Sequence, residues 1–159
     1  MKPKTKYAIV PPTKEHIEAL ALNMNKADVD EVWAAGRKTP LEALEQSVYA
    51  SPEPYVGLHE GRALCMFGVA ELTILDNKGI PWMLSSDELK YHARPFLRGS
   101  RMYIDLMKEK YPFMVNFVDA RNRAAIRWLR WLHFRLLPAE AHGPDQMLFH
   151  RFEMGVENV

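Results

Sequence analysis

The chain has 159 residues, 48% of them hydrophobic and 26% charged, with a formal net charge of +1. A chain of this size and composition suits a single globular domain, expected over 1–159, that buries about two thirds of its unfolded surface. No apolar run reaches the roughly 20 residues that span a bilayer, and the lone Cys65 excludes an internal disulfide and a multi-cysteine metal site.

The basic start, Met1 to Lys6, has no apolar signal core behind it, so the expected location is a cytosol and not a secretory compartment. Charge is polarised along the chain. Residues 28–60 carry seven acidic and two basic side chains, whereas residues 91–135 carry three acidic and ten basic. Such asymmetry marks either solvated helix faces or a surface for phosphates or an acidic partner.

Tyr7 to Val10 reads as a short strand stopped by Pro11-Pro12. Thr13 then caps a helix with Ile17, Leu20, Ala21 and Met24 on one stripe. A second helix runs from Asp28 to Ala35 and ends at Gly36, and Thr39-Pro40 opens a third over Leu41 to Tyr49. Tyr55 to His59 and Ala63 to Leu75 form a hairpin around Glu60-Gly61, with Cys65 read as a small core hydrophobe. After a turn at Asp76 to Gly79, Ile80 to Leu84 is a strand, and Ser85 three residues before Glu88 is a reciprocal cap for a helix reaching Lys110, kinked or divided at Pro95. Phe113 to Val118 is a buried strand. Asn122 caps the helix that carries Ala125, Ile126, Leu129 and Leu132 on one side, and the tail supplies strands at Arg135 to Ala139 and Gln146 to Met154. Helices alternate with strands in the second half, so the expected fold is α/β, a mixed sheet with helices on both faces.

The run from Val118 to Phe134 resembles the last helix of the acetyl-CoA-dependent N-acetyltransferase (GNAT) superfamily, in which an Asn opens a helix that ends in a Gly-Phe pair. His133 stands where that Gly is usual, and Leu129 lies near the position of a common catalytic Tyr. The element order resembles the same fold and implies about six or seven strands. It also implies parallel neighbours at Trp82 to Leu84 and Phe113 to Val118 that splay apart to admit the cofactor.

The resemblance implies a pyrophosphate site on the backbone amides of a glycine-rich turn between the fourth strand and the next helix. Here that turn reads Leu84-Ser85-Ser86-Asp87-Glu88-Leu89, without glycine, and Asp87 and Glu88 place two negative charges against an anion. No cofactor is therefore expected. If acetyl-CoA does bind, Leu84, Ser85, Ser86, Arg94, Arg98 and Asn122 are the residues expected to hold it, and weakly. Acyl transfer also needs a base, and often an acid for the thiolate. Leu129 serves as neither, and spacing selects none of Tyr103, Tyr111, Glu71 and His133. His133, His142 and His150 match no tight ligand spacing, so no metal is expected.

Arg94, Arg98 and Arg101 recur along one helical face, and Arg123, Arg127 and Arg130 follow on the next helix. They read either as a solvated ridge or as a partner-binding surface. Trp128 and Trp131 among arginines suit single-stranded nucleic acid, but an almost neutral chain favours ordinary packing under arginine stems.

A narrower resemblance rests on Trp82 to Asp87, Phe96 to Arg101, Tyr111 to Val118 and Asn122 to Phe134. These segments are similar to internal virion protein A of short-tailed bacteriophages, a family with an acetyltransferase-like fold. That resemblance implies a virion-associated or assembly protein that binds other virion proteins, located in the host cytoplasm or the virion. The alternative is an active acyl-CoA-dependent N-acyltransferase that modifies an amine.

Overall fold

The computed structural model describes residues 6–71 and 78–156. Local capping opens each of the first three helices. In α1 (Lys14–Asn23), Thr13 Oγ1 accepts from the His16 amide at 3.2 Å and His16 Nδ1 accepts from the Thr13 amide at 3.1 Å. In α2 (Lys26–Gly36), Asn25 Oδ1 accepts from the Asp28 amide at 2.9 Å, which starts the helix two residues earlier than the sequence pattern suggests. The left-handed residue after α2 is Arg37 (φ 55°), and Gly36 remains helical. Thr39 and Glu42 form the reciprocal cap of α3 (Pro40–Ala50), with Pro40 in the first turn where its missing N–H costs nothing.

Among the described residues, eight strands make one sheet: β1 (Tyr7–Val10), β2 (Tyr55–His59), β3 (Arg62–Glu71), β4 (Lys78–Ser85), β5 (Phe113–Asp119), β6 (Arg135–Leu136), β7 (Glu140–His142) and β8 (Met147–Gly155). Their order is β1-β2-β3-β4-β5-β8-β6, and β7 also pairs with β8. The count exceeds the expected six or seven because the tail divides into three strands and not two, with β7 lying between the expected pair. The remainder of the hairpin strand past Glu71, and the Asp76-Asn77 turn, lie outside the described residues.

All pairings are antiparallel except β4 with β5. That parallel pair is registered only at Lys78↔Phe113 and Gly79↔Met114, beyond which the strands part. The expected splay is therefore present, and the long helical connection between the two strands is what a parallel pair requires.

Alternation along the strands sends side chains to two layers. Met66, Trp82 and Leu84 pack with Leu20, Leu44 and Val48 of α1 and α3. Cys65, Phe67 and Met83 face Leu89 and Phe96 on the opposite side, where α4 (Ala93–Lys110) and α5 (Arg123–Trp131) lie. Cys65 is 1% exposed and burial pushes its thiol up to about 12, as its reading as a core hydrophobe requires.

Two local expectations are corrected. The segment after Ser86 is a 3-10 helix, Asp87–His92, followed by α4, so the division falls before Pro95 and leaves that proline in the first turn of α4, where it is tolerated. The Ser85–Glu88 cap does not form. Ser86 takes the capping position without a side-chain bond, and Glu88 instead pairs with Arg62 at 2.6 Å. At the end of α5, His133 adopts φ 70° while its amide bonds Arg130 O and the Phe134 amide bonds Leu129 O. This left-handed turn is the reason a glycine suits that position.

Candidate functional site

Once β4 and β5 part, the backbone groups on their facing edges need other partners. Asn116 supplies two from within β5: its Nδ2 donates across the gap to Pro81 O at 2.8 Å, and its Oδ1 accepts from the Phe117 amide at 2.8 Å. Helix α2 supplies two more. Asp28 Oδ2 accepts from the Ser85 amide at 2.9 Å, at the end of β4, while Glu31 Oε1 accepts from the Asp119 amide at 2.7 Å, at the end of β5. Residues three apart share a helix face, so one turn of α2 clasps both diverging strands.

Asn122 closes this network. Its Oδ1 caps α5 through the Ala125 amide at 3.3 Å, and its Nδ2 donates to Asp28 Oδ1 at 2.9 Å and to Glu31 Oε1 at 3.5 Å. Asn25 Nδ2 donates to Ser85 O and to Asp28 Oδ2, both at 2.9 Å. The adjacent Asp119 is 1% exposed and bonded by Arg121, whose Nη2 lies 2.8 Å from its Oδ2.

These carboxyl groups differ in charge state. Burial raises Asp28 above the ordinary range even though it accepts bonds from Ser85, Asn122 and Asn25. Burial also lifts Glu31 up to about 8, against the Asp119 amide bond, with Asp28 and Asp119 adding repulsion. Burial acts on Asp119 in the same sense, but the Arg121 hydrogen bonds outweigh it and hold the carboxyl below the usual range. Glu31 is thus a carboxyl that changes charge near neutrality. Both of its hydrogen bonds fall on Oε1.

A cavity of about 400 Å³ runs through the splay, lined by Glu31 and Val32 from α2, by Trp82 and Asn116 at the strand edges, and by Tyr103 and Leu129 from α4 and α5. Its wall is mainly apolar. Tyr103 packs edgewise on Phe67 and beside Tyr55, and burial raises its phenol pKa.

The sequence-derived candidates divide into two groups. Ser85 and Asn122 meet through Asp28, and Leu84 and Ser86 are buried beside them at the end of β4. The Ser85 and Ser86 amides are both engaged, with Asp28 and with Leu64 O at 2.8 Å respectively. Arg94, Arg98, Arg101, Arg123, Arg127 and Arg130 are exposed on α4 and α5, and none lines the cavity. The Arg101 guanidinium lies 4.2 Å over the Trp131 ring, and Trp128 packs into the core. Of the proton-transfer candidates, Tyr111 bonds Glu71, His133 is exposed, and only Tyr103 faces the cavity. His142 stacks on Phe117 and His150 Nδ1 bonds Leu137 O at 2.8 Å, so neither is grouped with His133.

Asp28 has no distinguishing sequence signal of its own because an acidic residue in a first helical turn is ordinary capping chemistry, and Glu31, one turn on, reads as a solvated acid. Their one available signal was their spacing on a helix that faces the splay. Asn116 carries no signal of its own beyond its place in the apolar strand Phe113 to Val118.

An eight-stranded mixed sheet with a parallel β4/β5 splay, three helices on one face and two on the other defines the GNAT acetyltransferase fold. No protein-family model and no curated protein sequence matches the chain. Solved structures do match. Ard1 from Thermoplasma volcanium aligns with a TM-score of 0.69 at 16% identity, covering 96% of this chain and 100% of that one. The acetyltransferase of the GNAT family from Streptococcus pneumoniae aligns with a TM-score of 0.64 at 9% identity, covering 94% and 99%. The structure of yncA from Salmonella typhimurium, which contains acetyl-CoA as its cofactor, gives 0.63 at 11% identity, covering 98% and 96%. At these identities the likeness establishes the fold. None of these three structures is described as a phage or virion component.

The residues present fit an acyl-thioester arm, since the splay opens onto an apolar cavity with polar strand edges. The phosphate end is less well provided, because two of its amides are taken. It is nevertheless less hostile than the sequence suggests. Arg62 neutralises Glu88, and the buried Ser86 Oγ has no hydrogen-bond partner among the described residues.

Proposed function

We propose that this chain is an acyl-CoA-dependent N-acyltransferase that modifies an amine. The observation that carries the reading is the β4/β5 splay opening onto the cavity that Glu31 and Tyr103 share. Acetyl-CoA would supply the activated acyl thioester. Ser85 and Ser86 at the end of β4, and Arg94 and Arg98 on α4, are the residues that would hold it, with Asn122 at the end nearest the acyl group.

Glu31 is suited to take the proton from the acceptor amine, because a carboxyl lifted to about 8 is a far better base than an ordinary one when ionised. Tyr103 is suited to supply a proton to the departing thiolate, since its raised pKa keeps it protonated across the working range. Leu129 then lines the wall as a packing residue, and the acid comes from α4 instead of α5. The exposed arginines of α4 and α5 are a docking surface for an acidic face of the acceptor. The phage-assembly reading, by contrast, gains no support from the fold neighbours.

The test is thiol release from acetyl-CoA in the presence of a panel of amines, including protein N-termini, lysine peptides and polyamines. Amine-dependent release that is lost in Glu31→Gln supports the reading. Absence of acetyl-CoA binding by calorimetry would overturn it and return a purely protein-binding role.

A further inference from the structure

Away from the splay, His59 at the end of β2 meets Glu88 and His92 on the 3-10 helix, with one ligand atom from each within 4.8 Å of the others. The His59 and His92 rings are 4.2 Å apart between centroids, and His92 Nε2 lies 3.7 Å from Glu88 Oε1. The other nitrogen of His92 is tied to the Tyr7 hydroxyl at 2.7 Å, the outer contact that orients a metal-ligating imidazole.

A second observation marks the same place as one for a cation. A single guanidinium nitrogen of Arg62, Nη2, stands 2.6 Å from Glu88 Oε1 and 3.2 Å from His59 Nδ1. Arginine has no acceptor, so His59 Nδ1 must present its lone pair. An acceptor atom from each of two of the three ligands therefore already converges on one positive centre. Arg62 is 54% exposed and can rotate into solvent.

We propose that His59, Glu88 and His92 form a binding site for a divalent transition-metal ion of the zinc type, for which the Arg62 guanidinium is the built-in competitor. Two imidazoles and one carboxylate are a donor set that zinc accepts at about 2 Å, with a fourth position open. Such an ion would tie β2 to the segment that follows β4. This inference does not depend on acyl transfer.

The experiment titrates the full chain, freed of metal by chelator, with zinc by calorimetry and with cobalt by visible absorption. One ion per chain is expected, with tetrahedral cobalt bands. Affinity should fall about tenfold or more in His59→Ala and in His92→Ala. It should rise in Arg62→Gln, a variant that removes the competitor and keeps every ligand. No saturable binding to the native chain overturns the proposal, as does binding that survives in the doubly substituted His59→Ala/His92→Ala chain. If the histidine variants fail to fold, the Arg62→Gln result decides, and an unchanged or weaker affinity there counts against the site.

Discussion

Asn122 Nδ2 donates to Asp28 Oδ1 at 2.9 Å, joining the residue that opens α5 to one 94 positions earlier on α2. Both are buried, at 3% and 6% exposure, so neither finds water as a substitute partner.

Asn122→Ala should therefore cost about 2 kcal/mol or more in urea denaturation, because it removes a helix cap and leaves a buried carboxyl short of a donor. Asn122→Asp should cost more. It retains the capping oxygen but sets a second carboxyl against Asp28.

Glu31 makes stability depend on pH in the opposite sense from an ion-paired carboxylate. Its folded pKa, pushed up to about 8, exceeds the ordinary value of 4.5. Between those values the native state holds a proton that the unfolded chain has released, so stability falls as pH rises through this window. Glu31→Gln keeps an oxygen for the Asp119 amide without that charge. Its unfolding free energy should match the parent near pH 4 and exceed it by about 1 kcal/mol or more near pH 8. A parent protein whose stability does not fall across this window would remove Glu31 as a titrating group.

The same titration sets the activity profile. If Glu31 is the base, the rate of acyl transfer should rise with pH toward a plateau above about 8. Glu31→Gln should abolish this rise while leaving acetyl-CoA affinity within about threefold of the parent, since the cofactor is held elsewhere. Affinity itself should be modest, because the Ser85 and Ser86 amides already have partners.

The arginine surface separates binding from folding. Arg98→Glu/Arg101→Glu/Arg127→Glu reverses three exposed charges that form no ion pair among the described residues. Capture of an acidic acceptor should be lost, while stability changes by no more than about 1 kcal/mol, chiefly from the Arg101 contact with Trp131. A large loss of stability with intact binding would make these arginines packing residues.

Gly143 tests how the tail is anchored. It adopts φ 79°, and a Cβ there would lie 2.2 Å from the Ala34 carbonyl oxygen of α2. Gly143→Ala should cost at least about 1 kcal/mol in urea denaturation, since both the backbone angle and the close contact oppose it.

The local grammar of the chain was legible without coordinates. Thr13, Thr39 and Asn122 announce helix starts because a capping oxygen acts on amides two or three residues away. Apolar runs such as Phe113 to Val118 announce buried strands for a similarly local reason, and the alternation of helices with strands implied a mixed sheet covered on both faces, whereas its parallel central pair was implied only by the resemblance to the acetyltransferase fold. The same locality explains the errors. Ser85 and Glu88 satisfy the capping pattern, but Arg62, distant in sequence, offers Glu88 a full charge in place of a backbone amide. His133 could be recognised as standing at a glycine's position, whereas its left-handed conformation appears only once α5 is closed.

What tertiary structure alone decided is the site. Asp28 looks like the ordinary acidic start of a helix and Glu31 like a solvated acid one turn on, and no pattern in their neighbours shows that they face the ends of two diverging strands. The charge state of Glu31 depends on how much water the fold excludes and on carboxyls from β5 and α2 brought beside it. The His59, Glu88 and His92 cluster likewise joins a strand end to a helical turn. Side chains determine which segments are helix or strand through contacts a few residues long; desolvation, pKa and ligand geometry arise from groups that only the closed sheet places together.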